Sequence, residues 1–132
     1  MALTIAVAVG TQPMGAALAT SLGAGSIIEI RSGAKPATPE TAASGTLLAS
    51  ITISGSWTST LGVLTAADPG AVSPAASGTA GHVRVKQSGG TAVLDGTVTA
   101  TGGGGDLQLG STTITTGVPV DLGVPTITIP AS

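Results

Sequence analysis

Charged side chains are scarce in this sequence, and that scarcity limits its possible folds more than any other feature. Only four Lys and Arg and six Asp and Glu occur among 132 residues, or 8% of the chain, against about 25% in an ordinary soluble domain. Leu, Ile and Val supply about 23%, above the roughly 20% below which strongly charged chains tend to be disordered. The sequence therefore predicts one folded domain with a thin core of branched aliphatic side chains.

A surface with so little charge is easier to understand if partner subunits cover it. Monomers normally keep a charged surface and protect their strand edges, because exposed edges pair with other chains. We therefore expect a multimer; the alternative is a monomer that Thr and Ser side chains keep soluble. The net charge of −2 offers no electrostatic footprint for nucleic acid or for an anionic membrane.

The N-terminal segment predicts a half-buried strand. Apolar residues alternate with Thr and Ala at Leu3, Ile5, Val7 and Val9, which is the period of a strand with one buried face. The segment lacks the basic region of a signal peptide and is too short to span a bilayer. We predict an N-terminal strand or arm over residues 1–12, followed by a short helix over Pro13–Gly23, and no secretion signal.

Residues 13–132 are predicted to form a single β-rich domain. Strands are expected at Ile27–Arg31 and Leu47–Ser54, with a loop at Pro36–Ala43 between them. Residues 55–81 are dominated by small side chains and contain Pro69 and Pro74, so we predict a long surface loop there. At most one short strand is expected in it, near Leu61–Thr65.

The C-terminal half is predicted to be a chain of hairpins. A strand over His82–Lys86, a turn at Ser88–Gly90 and a return strand over Thr91–Thr101 form the first, with a β-bulge at Gly96 where the apolar residues change face. Further short strands are predicted at Leu107–Leu109, Thr112–Thr115, Val118–Leu122 and Val124–Ile129. Many short strands with Gly and Pro turns indicate an all-β fold, a single-domain β-sandwich or jelly-roll-like barrel with one short N-terminal helix.

Residues suited to catalysis or metal binding are few and scattered. His82 is the only histidine, and it is expected on the polar face of a half-exposed strand rather than in an acid–base role. The chain has no Cys, no calcium-loop pattern and no G-x-S-x-G element. Glycines 102–105 precede no Lys-Ser or Lys-Thr pair, so a loose loop is expected there and not a phosphate loop. We predict no catalytic residues, no cofactor and no metal.

Trp57 is the only aromatic residue of the Phe, Trp and Tyr class, and two interpretations of it stay open. It could anchor an interface, or it could be the largest side chain of the core. Repeated Thr-x-Thr runs near residues 97–101, 113–115 and 126–128 resemble the Thr arrays of ice-binding solenoids. Their irregular spacing makes that a remote alternative, since Thr is also a good strand residue.

Several segments resemble small virion proteins of tailed bacteriophages. They are Ile28–Pro36, Gly45–Ala49, Ile51–Ile53, Gly81–Val85, Leu94–Val98, Leu107–Leu109 and Ile114. Such proteins are β-rich and head-associated, and some are decoration (cement) proteins on the capsid. The resemblance implies a protein that clamps the junctions between capsomers, often as a trimer, and that carries no catalytic residues.

The sequence thus predicts a non-catalytic virion structural protein that binds and stabilises the phage head lattice. Its expected partners are the major capsid protein or other virion subunits and its own copies, with a trimer favoured; neither nucleic acid nor membrane is expected. It would be made in the host cytoplasm and lie on the capsid surface. The candidate interface residues are Leu3, Ile5, Val7, Val9 and Trp57. Alternatives are a tail, baseplate or fibre component, and a carbohydrate- or surface-binding β-sandwich module.

Overall fold

The fold is all-β, as the sequence predicts. A computed structural model describes residues 4–5, 19–60, 63–105, 107–122 and 126–128, and within them the chain is mostly strands with one small helical turn. The strands of the described residues are β1 (Thr4–Ile5), β2 (Ile27–Arg31), β3 (Leu47–Thr52), β4 (Thr58–Thr60), β5 (Val63–Thr65), β6 (Gly78–Thr79), β7 (His82–Lys86), β8 (Ala92–Ala100), β9 (Leu107–Leu109), β10 (Thr113–Ile114) and β11 (Thr126–Thr128).

The main sheet has the order β1-β8-β7-β2-β3, with all neighbours antiparallel, and it curls into a half-barrel. Strand β9 adds to β8 in parallel. One face of the sheet carries the branched side chains that the alternation predicts, because successive side chains of a strand point to opposite faces. The apolar side chains of this sheet that are at most 5% exposed are Ile28, Ile30, Leu48, Ala49, Ile51, Val83, Val85, Val93, Leu94 and Leu109.

The short N-terminal helix ends where the sequence predicts. Residues 19–22 are helical, and the Gly23 amide donates to the carbonyl of Ala19 over 3.0 Å. Gly23 has a φ of 60°, a conformation that glycine adopts without a Cβ penalty and that commonly ends helices. Leu22 is only 2% exposed and fixes this turn to the core. The rest of the predicted helix, residues 13–18, lies outside the described residues.

The predicted bulge in β8 lies three residues earlier than expected. Gly96 stands opposite Val83 in continuous register, and the irregularity falls where Val85 pairs with Leu94 and Lys86 pairs with Ala92. Val93 is therefore the extra residue of the bulged strand. This explains why Val93 and Leu94, although adjacent, are both buried, because a bulge breaks the strict alternation of faces.

The segment 55–81 is not one long surface loop. Strands β4 and β5 form a hairpin in it, β11 adds to β5, and β6 pairs with β10. Leu64 is fully buried, and Trp57 and Ala66 are each 4% exposed. Small side chains suit close packing as well as surface loops, so composition did not distinguish the two.

The C-terminal half is a hairpin followed by strands with distant partners. The turn between β7 and β8 is confirmed, with the Gly90 amide donating to the carbonyl of Gln87 over 2.8 Å. Beyond it the predicted chain of hairpins is wrong: β9 runs parallel to β8, and Val120 bridges to Val72. Local turn residues do not encode partners this far away in the sequence.

Candidate functional site

Half of the chain's Asp, Glu, Lys and Arg residues meet on the polar face of the main sheet. Strands β2, β7 and β8 place Glu29, Arg84 and Asp95 directly opposite one another in a single transverse row. Arg31 and Lys86 lie two residues from this row on the same face, since side chains two apart in a strand share a face. We call these five residues the ion-pair network.

The centre of the network is a buried, two-pronged ion pair. Arg84 Nε donates to Asp95 Oδ1 over 2.7 Å, and Arg84 Nη2 donates to Asp95 Oδ2 over 2.8 Å. Their side chains are 6% and 0% exposed. The planar guanidinium matches both carboxylate oxygens, which is the strongest geometry for such a pair. These hydrogen bonds from Arg84 to Asp95 outweigh the effect of burial and raise the pKa of Arg84 above its usual value.

Glu29 is held by two cations from opposite sides. Lys86 Nζ lies 3.0 Å from Glu29 Oε2, and Arg31 Nε lies 3.1 Å from Glu29 Oε1. Burial by itself would raise the pKa of Glu29, but the hydrogen bonds and charges of Lys86 and Arg31 together more than offset it. The pKa of Glu29 is therefore lowered from its ordinary value of 4.5.

A loop over residues 34–46, the covering loop, contacts Arg84 at the centre of the network, and the burial of this region corrects one sequence expectation. The polar face of β7 was predicted to be half exposed, yet His82 is fully buried and Arg84 is 5% exposed. Arg84 Nη2 donates to the carbonyl of Thr41 in the loop over 2.7 Å, and Pro39 of the loop is fully buried. A central strand with both faces covered is buried throughout, which the alternation alone did not reveal.

His82 has no partner for acid–base chemistry among the described residues. Its Nδ1 lies 2.9 Å from the carbonyl oxygen of Gly33. Because a carbonyl only accepts, Nδ1 carries a proton and donates to it. Nε2 is buried and has no hydrogen-bond partner in the described part of the chain. The ring thus joins β7 to the start of the covering loop, which is a structural contact.

The covering loop returns to the sheet through a tight backbone crossing. Ser44 Oγ donates to the carbonyl of Ala34 over 2.6 Å, and the Thr46 amide donates to Ser32 Oγ over 2.9 Å. Gly45 has a φ of 72°, and a Cβ there would collide with the backbone nitrogen of Gly33. This crossing fixes the position of the loop above the network.

Trp57 lies in the core, which is one of the two interpretations that the sequence left open. Its side chain is 4% exposed, and its indole Nε1 donates to Ser26 Oγ over 2.7 Å. Ser26 is itself fully buried. A buried tryptophan needs a partner for its N–H, and the hydroxyl of Ser26 provides it.

The other candidate interface residues lie mostly outside the described residues. Ile5 belongs to β1, where its backbone stands opposite Leu94 of β8 in the same chain. Leu3, Val7 and Val9 are not among the described residues. The described part of the N-terminal segment is therefore a strand of the main sheet, and a role at a subunit interface remains a prediction.

The surface outside the network carries little charge. Four further ionisable Asp, Glu and Lys residues are described, namely Lys35, Glu40, Asp68 and Asp121. Val118, 60% exposed, is the large apolar side chain that stands out at the described surface. It borders an open cleft of about 290 Å³ that is lined by residues 109–111, 113–115 and 118–121. Exposed strand positions of β3 and β10 carry Ser and Thr.

The described residues, the ion-pair network included, form no cluster of ionisable side chains that suggests a metal site. They contain no group of three or more His, Asp or Glu side chains that could hold a metal ion. They also contain no helix with the length and apolar character needed to cross a membrane. Comparison with protein-family models, with curated proteins and with solved structures gave no match.

Sequence reasoning missed the ion-pair network, although a signal for it was present. Glu29 and Arg31 alternate with isoleucines, and Arg84 and Lys86 alternate with valines. Opposite charges at alternate positions of two strands match when the strands pair, since cross-strand pairs of opposite charge are favourable. The contribution of Asp95 depends on the order of the strands, which the sequence does not show.

Proposed function

We propose that this chain is a non-catalytic structural protein that works by assembling with other protein subunits, and that it decorates the capsid of a tailed bacteriophage. The observation that carries the proposal is the ion-pair network. It takes five of the ten Asp, Glu, Lys and Arg residues into hydrogen-bonded contacts on the sheet face, and so leaves the surface poorer in charge than the composition alone implies. A surface of Ser, Thr, Ala and Gly with few charges favours contact with other subunits, because a free monomer normally needs surface charge to stay soluble.

The arrangement of polar groups also supports a role without catalysis. The ionisable side chains that lie close together form ion pairs with one another, Arg84 with Asp95 and both Arg31 and Lys86 with Glu29, and the ring of His82 is enclosed by its own chain. A general acid or base must reach a substrate proton directly or through one water. The most concentrated set of charges in the described residues is therefore suited to holding the fold together.

Of the alternatives, a carbohydrate-binding module has the least support. Sugar sites commonly present aromatic faces for apolar contact, and Trp57 is the single Phe, Trp or Tyr residue of the sequence. That side chain is 4% exposed and hydrogen-bonded to Ser26. The family resemblance at Ile28–Pro36 and Gly81–Val85 instead favours a head protein, with a tail, baseplate or fibre component as the second candidate.

Fractionation of phage particles tests this proposal directly. Tailed-phage particles from the bacterium that carries the gene are separated on a density gradient into virions, tail-less heads, isolated tails and free protein. Each fraction is then examined for this chain by mass spectrometry. The proposal predicts the chain in virions and in tail-less heads. Its presence in isolated tails would support the second candidate, and its presence in the free-protein fraction alone would refute both.

A further inference from the structure

Strand β3 forms one end of the main sheet, and the described residues give it little of the usual protection of an edge. Its partner on the inner side is β2, and the strand order ends there. The sequence Leu47–Thr52 contains no charged residue and no proline. Natural edges are commonly blunted by Lys, Pro or a covering element, and among the described residues none of these protects the middle of β3.

The backbone groups that face outward from this edge can be identified. The Ile53 amide donates to the carbonyl of Ser26, and the Gly25 amide donates to the carbonyl of Ile53. Backbone groups alternate in direction along a strand, so Ile51 also faces inward, while Ser50 and Thr52 face outward. In the described part of the chain, no hydrogen bond reaches the outward N–H or C=O groups of Ser50 and Thr52.

The free part of the edge is short and has fixed limits. The amides of Ala75 and Ala76 lie 2.7 and 3.4 Å from the carbonyl oxygen of Leu48, so this segment occupies the edge at Leu48. At the other end, the strand stops at Thr52. What remains open is one repeat of the antiparallel ladder, with exposed Ser50 and Thr52 side chains. Fully buried Ala49 and Ile51 hold it rigidly.

From these observations we infer that the outer edge of β3 is a self-association site, at which two copies of this chain pair antiparallel about a two-fold axis at Ile51. In that register Ser50 of one copy stands opposite Thr52 of the other, and both pairs together make four backbone hydrogen bonds. All outward groups of the open edge are then satisfied. In the alternative register, Ser50 of one copy stands opposite Ser50 of the other, and Thr52 then stands opposite Leu48. That register would need the carbonyl of Leu48, to which the Ala75 amide already donates.

The chemistry of the edge favours a second copy as the occupant. Identical charged edges repel, because like charges directly opposite one another on paired strands are destabilising, and this edge carries none. The nearest charge on its face is Glu29, opposite Ser50, and it is held in ion pairs with Lys86 and Arg31, so the three side chains together carry a net charge of only +1. A Ser hydroxyl facing a Thr hydroxyl forms a favourable cross-strand pair. A closed two-fold contact also ends growth at two copies.

The contact is expected to be weak by itself. One repeat of ladder buries far less than the roughly 1,200–2,000 Å² of a stable interface. It would act mainly where copies are already held close together, because tethering raises their effective concentration. This inference therefore rests on the proposed function, in which many copies occupy one lattice.

Amide exchange and a pair of charge variants test the inference. In the full chain, measured by NMR from micromolar to millimolar concentration, the Ser50 and Thr52 amides should become protected as the concentration rises. The variant S50K/T52K places Lys opposite Lys in the two-fold register and should weaken association at least about tenfold. The variant S50K/T52E places Lys opposite Glu and should bring association back to within about threefold of the original chain.

Controls separate a wrong interface from a misfolded variant. The variant T113K/T115K adds the same charges at exposed positions of another strand region, and it should associate like the original chain. Circular dichroism should show the same fold for all four proteins. The inference is overturned if the amides of residues 50 and 52 exchange equally fast at every concentration, or if S50K/T52K associates normally. In either case, banding of the chain with phage heads would leave the proposed function intact.

Discussion

Replacing Arg84 with Met should strongly destabilise the fold. The substitution removes both hydrogen bonds to Asp95, at 2.7 and 2.8 Å, and the hydrogen bond to the Thr41 carbonyl. Asp95 is fully buried, so water cannot replace the lost guanidinium. The variant keeps a carboxylate in the protein interior without a neutralising partner.

The expected loss is a large part of the total stability. Removing one partner of a buried ion pair costs about 3–5 kcal/mol, because the other charge stays buried and uncompensated. Domains of this class are stable by about 5–15 kcal/mol. At roughly 4 °C per kcal/mol for a domain of this size, the melting temperature should fall by about 12 °C or more.

Two further variants give this prediction a sharp contrast. In R31M the same substitution removes a half-buried cation whose partner, Glu29, keeps Lys86, and the expected loss is at most about 1 kcal/mol. In R84M/D95L the buried charge disappears with its partner, and the stability should return to near the original value or above it. Only the single variant R84M leaves an unpaired buried charge.

Urea unfolding followed by circular dichroism measures all three variants. The free energy of unfolding should be slightly lower in R31M than in the original chain and much lower in R84M. In R84M/D95L it should be close to the original value or above it. The reasoning fails if R84M loses no more stability than R31M, since Asp95 would then have water or another partner. It also fails if the double variant is as unstable as R84M, because the pair would then stabilise the fold in its own right.

Three further predictions concern pH, backbone space and the core. Because the pKa of Glu29 is lowered in the folded state, its contribution to stability is present above its ordinary value of 4.5 and is lost as the pH falls through the folded value. E29Q should therefore flatten the fall of stability below that pH in acid titrations of urea unfolding, and an unchanged slope would refute the assignment. Gly45 and Gly70 have similar φ values of 72° and 77°. A Cβ at Gly45 would collide with the backbone of Gly33, whereas a Cβ at Gly70 would meet nothing within 4 Å. By thermal melting, G70A should cost about 1–2 kcal/mol from the backbone alone and G45A clearly more, and equal losses would contradict the tight crossing. W57F leaves the buried Ser26 hydroxyl without the indole N–H and should cost about 1–3 kcal/mol in urea unfolding, whereas an exposed Trp57 would lose almost nothing.

The sequence was informative where structure is local. Alternation of apolar and polar residues located β2, β3, β7 and β8 within a few residues, since one buried face imposes a period of two. Glycines with a required backbone conformation marked the end of the helical turn at Gly23 and the turn before β8. In each of these places, neighbouring residues alone determine the structure.

Expectations failed where structure depends on distant partners. The polar face of β7 was expected to be half exposed, because alternation shows which residues share a face and not what covers that face. The residues that contact His82 and Arg84 on this face, Gly33 and Thr41, lie 49 and 43 positions earlier in the chain. Strands β6, β10 and β11 likewise pair with segments far from them in sequence, and chain-local turn residues do not encode such pairings.

Composition was a poor guide to the segment 55–81. Low charge predicts a surface covered by partners, which stays a prediction, and the ion-pair network lowers the exposed charge further. The small residues of 55–81 were expected to form a loop, although Trp57 and Leu64 within it belong to the core. One or two large side chains can draw such a segment inward, because burying an aromatic or aliphatic side chain contributes about 1.5–3 kcal/mol.

The mass of the purified chain in solution tests the central claim most directly. Native mass spectrometry across a concentration series would show whether the 12.4 kDa chain assembles with its own copies. Our account predicts multiples of that mass that grow with concentration: a dimer through the β3 edge, or a trimer as the family resemblance implies. A single species of 12.4 kDa at every concentration would contradict the claim that this charge-poor surface is made for contact between copies.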